Sequence, residues 1–182
     1  FLGVAATAPL KVDSLAGLVR AARAQPGKLN WAATPGLPYY VLLALQKSAG
    51  IDMVQVSYRD FAPAYQDLNQ GRLHVAATGV PTLAPHHQAG TAKLLFVTNR
   101  DRSPQRPDVP TATEAGIPGY TFTSWQGMVG PAGIPELLVD RLNVEIATVL
   151  SDPAVIERIH GIGNVPAPTS PREFKARIAS DI

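Results

Sequence analysis

The sequence predicts an α/β fold in which a mostly parallel sheet is flanked by helices. Short apolar runs alternate with segments of helical period along residues 1–97, at the spacing of strand–helix units. Val75-Ala76-Ala77 and Leu94-Leu95-Phe96-Val97 are unbroken apolar runs, as strands covered on both faces require. With 182 residues and 46% apolar content, the chain buries a core without staples, which suits its lack of cysteine.

The elements follow in order. Phe1-Leu2-Gly3-Val4-Ala5-Ala6 is apolar with no preceding Lys or Arg, so it reads as a strand entered midway and not as a signal peptide. Asp13 or Ser14 caps a helix to residue 24, with Leu15, Leu18, Val19 and Ala22 on one face, and Gln25-Pro26-Gly27 ends it. A strand over 29–33 leads through the loop 34–38 into a helix over about 39–49. A strand over 53–56, a loop over 57–60 and a helix over 62–70 closed by Gly71 come next. Strand 73–78, a short helix 82–88 closed by Gly90 and strand 93–97 complete the regular part.

After Thr98 the texture changes. Charges and prolines crowd residues 99–110, residues 111–115 suggest a short helix closed by Gly116, and 120–129 reads as an extended stretch containing Trp125. A helix over 135–150 has Pro135 in its first turn and Leu138, Leu142, Ile146 and Val149 on one face. Two more helices are expected over 153–160 and 170–182. The last of these stops without a Gly or Pro terminator, so both ends read as those of a fragment. The domain boundary falls near residue 119, dividing the chain into 1–118 and 119–182.

Composition narrows the function. Sixteen Lys and Arg against fourteen Asp and Glu leave a net charge of +2, without the basic stripe that nucleic acid demands. No apolar run approaches the ~18 residues of a membrane helix. Nucleotide-binding glycine motifs and the G-x-S-x-G elbow are absent. His86 and His87 are adjacent, so their side chains diverge, and the carboxylates Asp52, Asp60, Asp67, Glu114 and Glu136 sit singly. The expectation is no enzyme, no catalytic residue, no metal and no cofactor.

The loops after strands are more informative, because ligands of open α/β sheets sit beyond the carboxyl ends of the strands. Three such loops, 34–38, 57–61 and 78–82, aim helix N-terminal amides at one crevice, which suits a carboxylate or phosphate. Thr34, Ser57 and Thr78 offer hydroxyls and Arg59 a charge; the other reading of each is a helix cap or a turn. Tyr39 and Tyr40 either line that cleft or pack as a lid, and Trp125 reads as a core or hinge anchor.

Several strings carry a resemblance. Among them are Gln25-Pro26-Gly27-Lys28-Leu29-Asn30-Trp31, Val56-Ser57-Tyr58-Arg59, Ala62-Pro63-Ala64-Tyr65-Gln66-Asp67-Leu68 and Gly71-Arg72-Leu73. The most specific are Arg102-Ser103-Pro104, Pro107-Asp108-Val109-Pro110-Thr111 and Glu114-Ala115-Gly116-Ile117-Pro118-Gly119-Tyr120. Ser124-Trp125-Gln126-Gly127 and Gly130-Pro131-Ala132-Gly133-Ile134-Pro135 follow. In this order the chain resembles the periplasmic substrate-binding proteins of tripartite tricarboxylate transporters, the Bug family.

The resemblance implies a periplasmic-binding-protein-like (type II) lobe with C-terminal helices of the other lobe, hinged to close on a small carboxylate. Residues 1–118 correspond to the second lobe, and 119–182 to the return crossover and an incomplete first lobe. The implied function is an extracytoplasmic receptor in the periplasm that captures a small organic acid, a carboxylate or amino acid, for the membrane components of a tripartite transporter. The alternative is a homologue repurposed for signalling or protein interaction. A missing half-lobe would expose apolar surface, from which a homodimer of the fragment is expected. The expected ligand-binding residues are Thr34, Gly36, Tyr39, Ser57, Tyr58, Arg59, Thr78 and Gly79.

The chain departs from the family's pattern at these loops. The family's glycine–serine run with its histidines is here Thr34-Pro35-Gly36-Leu37-Pro38-Tyr39-Tyr40, in which two prolines remove amide donors. The usual Tyr-Lys-Gly is Tyr58-Arg59-Asp60, with a carboxylate where an anion would dock, and Thr78 stands where an Asp is common. These departures point to a ligand less anionic or more apolar than usual, and Asp60→Gly is expected to strengthen carboxylate binding.

Overall fold

In the computed structural model, which describes residues 1–181, the apolar opening becomes an inner strand, β1 (Leu2–Thr7). A 3-10 turn over Ala8–Leu10 leads to α1 (Leu15–Ala24), whose start is capped by the Ser14 hydroxyl accepting from the Gly17 amide at 3.3 Å. Then come β2 (Asn30–Ala33), α2 (Leu37–Ala49), β3 (Val54–Gln55), α3 (Ala62–Asn69), β4 (Val75–Gly79), α4 (Val80–Gln88) and β5 (Ala92–Val97). Beyond residue 98 the regular elements are α5 (Glu136–Leu150), α6 (Pro153–Gly161) and α7 (Pro171–Asp181).

The five strands are ordered β3-β2-β4-β1-β5. β2 runs parallel to both β3 and β4, whereas β1 runs antiparallel to both β4 and β5. Four strands therefore share a direction and β1 opposes them. A fully covered strand is apolar throughout whichever way it points, so periodicity alone does not reveal the reversal.

Alternation along the strands sorts the core into two layers. Val4, Ala6, Trp31, Val75 and Ala77 pack with Leu15, Leu18, Val41, Leu42 and Leu45 from α1 and α2. Ala5, Ala32 and Ala76 pack with Ala64, Leu68, Val80 and Leu83 from α3 and α4. The β1–β5 register slips by one residue between Val4, opposite Phe96, and Ala5, opposite Leu94. Leu95 is the extra residue of that bulge, which is why the neighbours Leu95 and Phe96 both join the α1/α2 layer.

The stretch 111–115 differs from expectation: it is a capped turn and not a helix. Thr111 Oγ1 accepts from the Glu114 amide at 3.2 Å, and Glu114 Oε2 accepts from the Thr111 amide at 2.7 Å. That is a capping box. Arg102 takes the same carboxylate at 2.9 Å, and Pro118 follows too soon for the turn to propagate. Residues 120–129 are extended in sequence but join no ladder of the sheet.

The chain forms two compact units, Phe1–Ser124 and a second from Trp125 onward. In the second, Asp152 caps α6 by accepting from Ala154 and Val155, and Ser170 and Glu173 cap α7 reciprocally. Trp125 packs edge-on against Phe174, ring centres 5.1 Å apart, and its indole donates to Asp181 at 2.6 Å. It anchors α7. The apolar stripe expected on α5 is present, yet α5, α6 and α7 contain no buried residue.

Candidate functional site

At the carboxyl ends of β2 and β3 lies a pocket of about 400 Å³. β2 ends on Ala33, and the loop after it turns through Pro35 and Gly36 into α2. Gly36 holds φ +92° and ψ −140°, a conformation closed to other residues without strain. That sharp turn brings Tyr39 and Tyr40, on the first turn of α2, to the pocket wall. β3 ends on Gln55, and Val56, Ser57, Tyr58, Arg59 and Phe61 supply the opposite side.

Five of the eight expected residues line this pocket: Gly36, Tyr39, Ser57, Tyr58 and Arg59. Thr34, Thr78 and Gly79 do not. The Thr34 amide extends the β2–β4 ladder by donating to the Ala77 carbonyl at 3.2 Å, and its hydroxyl donates to that of buried Thr78 at 3.4 Å. The pair supports the loop from beneath. Gly79 runs directly from β4 into α4 with no intervening loop, and the Val80 amide is spent on the Phe1 carbonyl at 3.0 Å. Pro81 has no amide to give. The third loop is therefore not part of the pocket.

Asp60 is not among the pocket-lining residues either. Its Oδ1 accepts from the Ala62 amide at 3.2 Å, a turn that starts α3. Arg59 is exposed and forms no ion pair among the described residues.

The aromatic walls are held from behind. Tyr39 leans on Trp31, centres 5.6 Å apart, and meets Tyr40 edge-on at 5.4 Å. Trp31 is itself fixed by donating its indole N–H to the Met53 carbonyl at 3.2 Å. Across the pocket, Tyr58 and Phe61 meet at 6.4 Å, and Phe61 rests on Tyr65 at 5.0 Å. The Tyr58 hydroxyl donates to Asp67 Oδ2 at 2.8 Å, while Arg72 binds Asp67 Oδ1 at 2.6 Å. Burial first, then the bond to Asp67, pushes the Tyr58 phenol up to about 12. The bond from Tyr58, then that from Arg72, holds the Asp67 carboxyl below its ordinary value.

Two of these contributors escape sequence reasoning. Phe61 sits one residue past a loop whose polar members draw the attention, and Asp67 acts only through Tyr58, nine residues away. The clustering of Tyr58, Phe61 and Tyr65 within one short stretch is the signal that points to them.

Among the described residues, no His, Asp or Glu lines the pocket. Among the described residues, no three such side chains come together at metal-binding spacing. His86 stacks on Tyr65 at 5.3 Å; His87 lies 3.6 Å from Asp108, and burial lowers its pKa. A guanidinium, a hydroxyl and an amide set among rings equip this pocket to bind and orient.

Such an α/β unit, with its pocket beyond the carboxyl ends of parallel strands, is a lobe of the periplasmic-binding-protein-like fold. Residues 1–181 match the family described as "Tripartite tricarboxylate transporter family receptor", and the chain belongs to that family. It is similar to the "UPF0065 protein in tcbD-tcbE intergenic region" of Pseudomonas sp. (strain P51), 38% identical over 150 residues, covering 80% of this chain and 44% of that relative. Its fold is similar to that of R. palustris Rpa4515 solved with adipate, at TM-score 0.86 and 29% identity, covering 100% of this chain and 61% of that one. MatC (Rpa3494) from Rhodopseudomonas palustris with bound malate gives TM-score 0.81 and 26% identity, covering 99% and 63%. The chain spans about half the length of the curated relatives it matches.

Proposed function

We propose that the chain belongs to an extracytoplasmic solute-binding receptor that captures a small organic acid in the periplasm. The receptor hands the acid to the membrane components of a tripartite tricarboxylate-type transporter and performs no chemistry on it. The observation that carries this reading is the pocket at the ends of β2 and β3, which Arg59, without an ion pair among the described residues, lines from one side and the first turn of α2 from the other. A guanidinium and a helix N-terminus lining one pocket suit a carboxylate. Gly36, Tyr39, Ser57, Tyr58 and Arg59 are the contacts in this reading, with the Thr34–Thr78 pair as their support.

The carboxylates bound by Rpa4515 and MatC support the reading, as does the family to which the chain belongs. Among the described residues no helix is long and apolar enough to cross a membrane. In this account residues 1–118 make the second lobe and 119–182 the return crossover with part of the first. Hinged closure is driven by ligand binding. Thr98 suits such a hinge: its amide donates to the Leu2 carbonyl at 3.0 Å and its hydroxyl to the Phe122 carbonyl at 2.8 Å, so one residue ties β1 to the segment that leaves the sheet.

The test is thermal melting of the full-length protein against mono-, di- and tricarboxylates and amino acids. A ligand that binds only the folded state raises the melting temperature, and one class of acid should raise it by several degrees. No rise from well-folded protein across the panel overturns the receptor reading in favour of a homologue repurposed for protein interaction.

A further inference from the structure

We propose that the acid captured here carries an aromatic ring and a single carboxylate, the ring lying between the Tyr39–Tyr40 and Tyr58–Phe61 walls with its carboxylate toward Arg59. The inference rests on the receptor reading and narrows its ligand class.

The first ground is the makeup of the walls. Four of the eleven pocket-lining residues are aromatic, and they come from two separate elements, α2 and the β3–α3 loop. Aromatic rings meeting at centre distances of ~4.5–7 Å attract beyond their buried area, so a pocket walled by rings on two sides favours a flat ring over a flexible chain. Each wall is also set before a ligand arrives. Tyr39 is braced by Trp31 and Phe61 by Tyr65, so little side-chain entropy remains to be lost on binding.

The second ground is the count of donors. Among the described residues Arg59 is the only cation in the lining, and one planar guanidinium matches one carboxylate. Pro35 and Pro38 have no amide hydrogens, which thins the donor set at the start of α2, and Pro63 does the same in the first turn of α3. The Tyr58 hydroxyl has its proton committed to Asp67, so Tyr58 contributes a ring surface in place of a donor. The Thr34 hydroxyl is likewise engaged with Thr78. Ser57, Gln55 and the Tyr39 and Tyr40 hydroxyls remain as neutral donors, so a second carboxylate would find hydrogen bonds but no second cation in this lining, and desolvating it without a counter-charge is costly.

The volume agrees. A pocket of about 400 Å³ lies at the low end of the ~300–1,000 Å³ typical of small-molecule sites, suiting a one-ring acid.

The experiment is calorimetric titration of the full-length protein with benzoate, phenylacetate, cyclohexanecarboxylate, benzamide, adipate and malate. Benzoate or phenylacetate should bind about tenfold or more tighter than adipate or malate, with cyclohexanecarboxylate weaker and benzamide weaker still. Tyr40→Ala, at a residue 60% exposed and therefore safe for folding, should weaken the aromatic acid about three- to tenfold. Phe61→Leu keeps the bulk and should do the same without changing adipate binding. If adipate or malate binds tightest and neither variant discriminates, the aromatic inference is overturned while the receptor reading stands. If no acid binds to folded protein, both fall.

Discussion

The Tyr58 hydroxyl donates to Asp67 Oδ2 at 2.8 Å, so a residue on α3 decides how a ring in the preceding loop meets the pocket. Arg72 holds the other oxygen of the same carboxylate, and α3 is thereby tied to both the loop before it and the turn after it. The pocket wall is as firm as this exposed network.

That network should be sensitive to acid. Bonds from Tyr58 and then Arg72 hold the Asp67 carboxyl below its ordinary value of 3.8, so the folded state favours the ionised form. Its contribution to stability is full above about pH 4 and is lost as the pH falls through the lowered value. Asp67→Asn should therefore lower the melting temperature at neutral pH, with the gap to the parent closing as the pH falls through the lowered value. An equal gap at every pH would mean that the charge is irrelevant there.

Asp60 supports the start of α3 through the Ala62 amide. This replaces the expectation, drawn from the sequence, that Asp60→Gly strengthens carboxylate binding. Asp60→Asn keeps the acceptor and removes an exposed, screened charge, so affinity for a carboxylate should stay within about twofold. A gain of tenfold in calorimetry would return Asp60 to the site.

Thr98 is fully buried, and its hydroxyl serves the Phe122 carbonyl alone. Thr98→Val keeps the shape and the backbone bond to Leu2 but orphans that carbonyl, at a cost of about 1 kcal/mol. Calorimetric melting should fall by roughly 2–4 °C. An unchanged melting temperature would remove Thr98 as the tie between β1 and the segment around Phe122.

Gly71, φ +76°, ends α3 in the left-handed region, and a Cβ there would come within 3.0 Å of the Pro9 ring. A proline ring yields little, so Gly71→Ala combines a backbone penalty of roughly 1–2 kcal/mol with a tight contact. The melting temperature should drop by about 2–8 °C. Wild-type stability would contradict this account of the turn.

Much of the first unit was legible in the sequence. Ser14 announced α1, the apolar runs announced β4 and β5, and the post-strand loops led to Gly36, Tyr39, Ser57, Tyr58 and Arg59. What stayed hidden depends on three-dimensional pairing. The direction of β1 is set by its partners β4 and β5, both far along the chain. The bulge at Leu95 appears only against β1. The loop expected at 78–82 vanishes because β4 passes straight into α4, and Thr78 ends beneath Thr34. The helix expected over 111–115 stops at one turn because Gly116, at φ +102°, and Pro118 end it.

The central claim is that a carboxylate docks at Arg59. The most direct measurement compares wild-type and Arg59→Ala full-length protein by calorimetric titration with the carboxylate panel. Hydrogen bonds to charged groups contribute about 1.5–3 kcal/mol, so the bound acid should weaken about tenfold or more in the variant, with folding unchanged. Equal affinity in the two proteins would contradict the account and move the ligand away from the ends of β2 and β3.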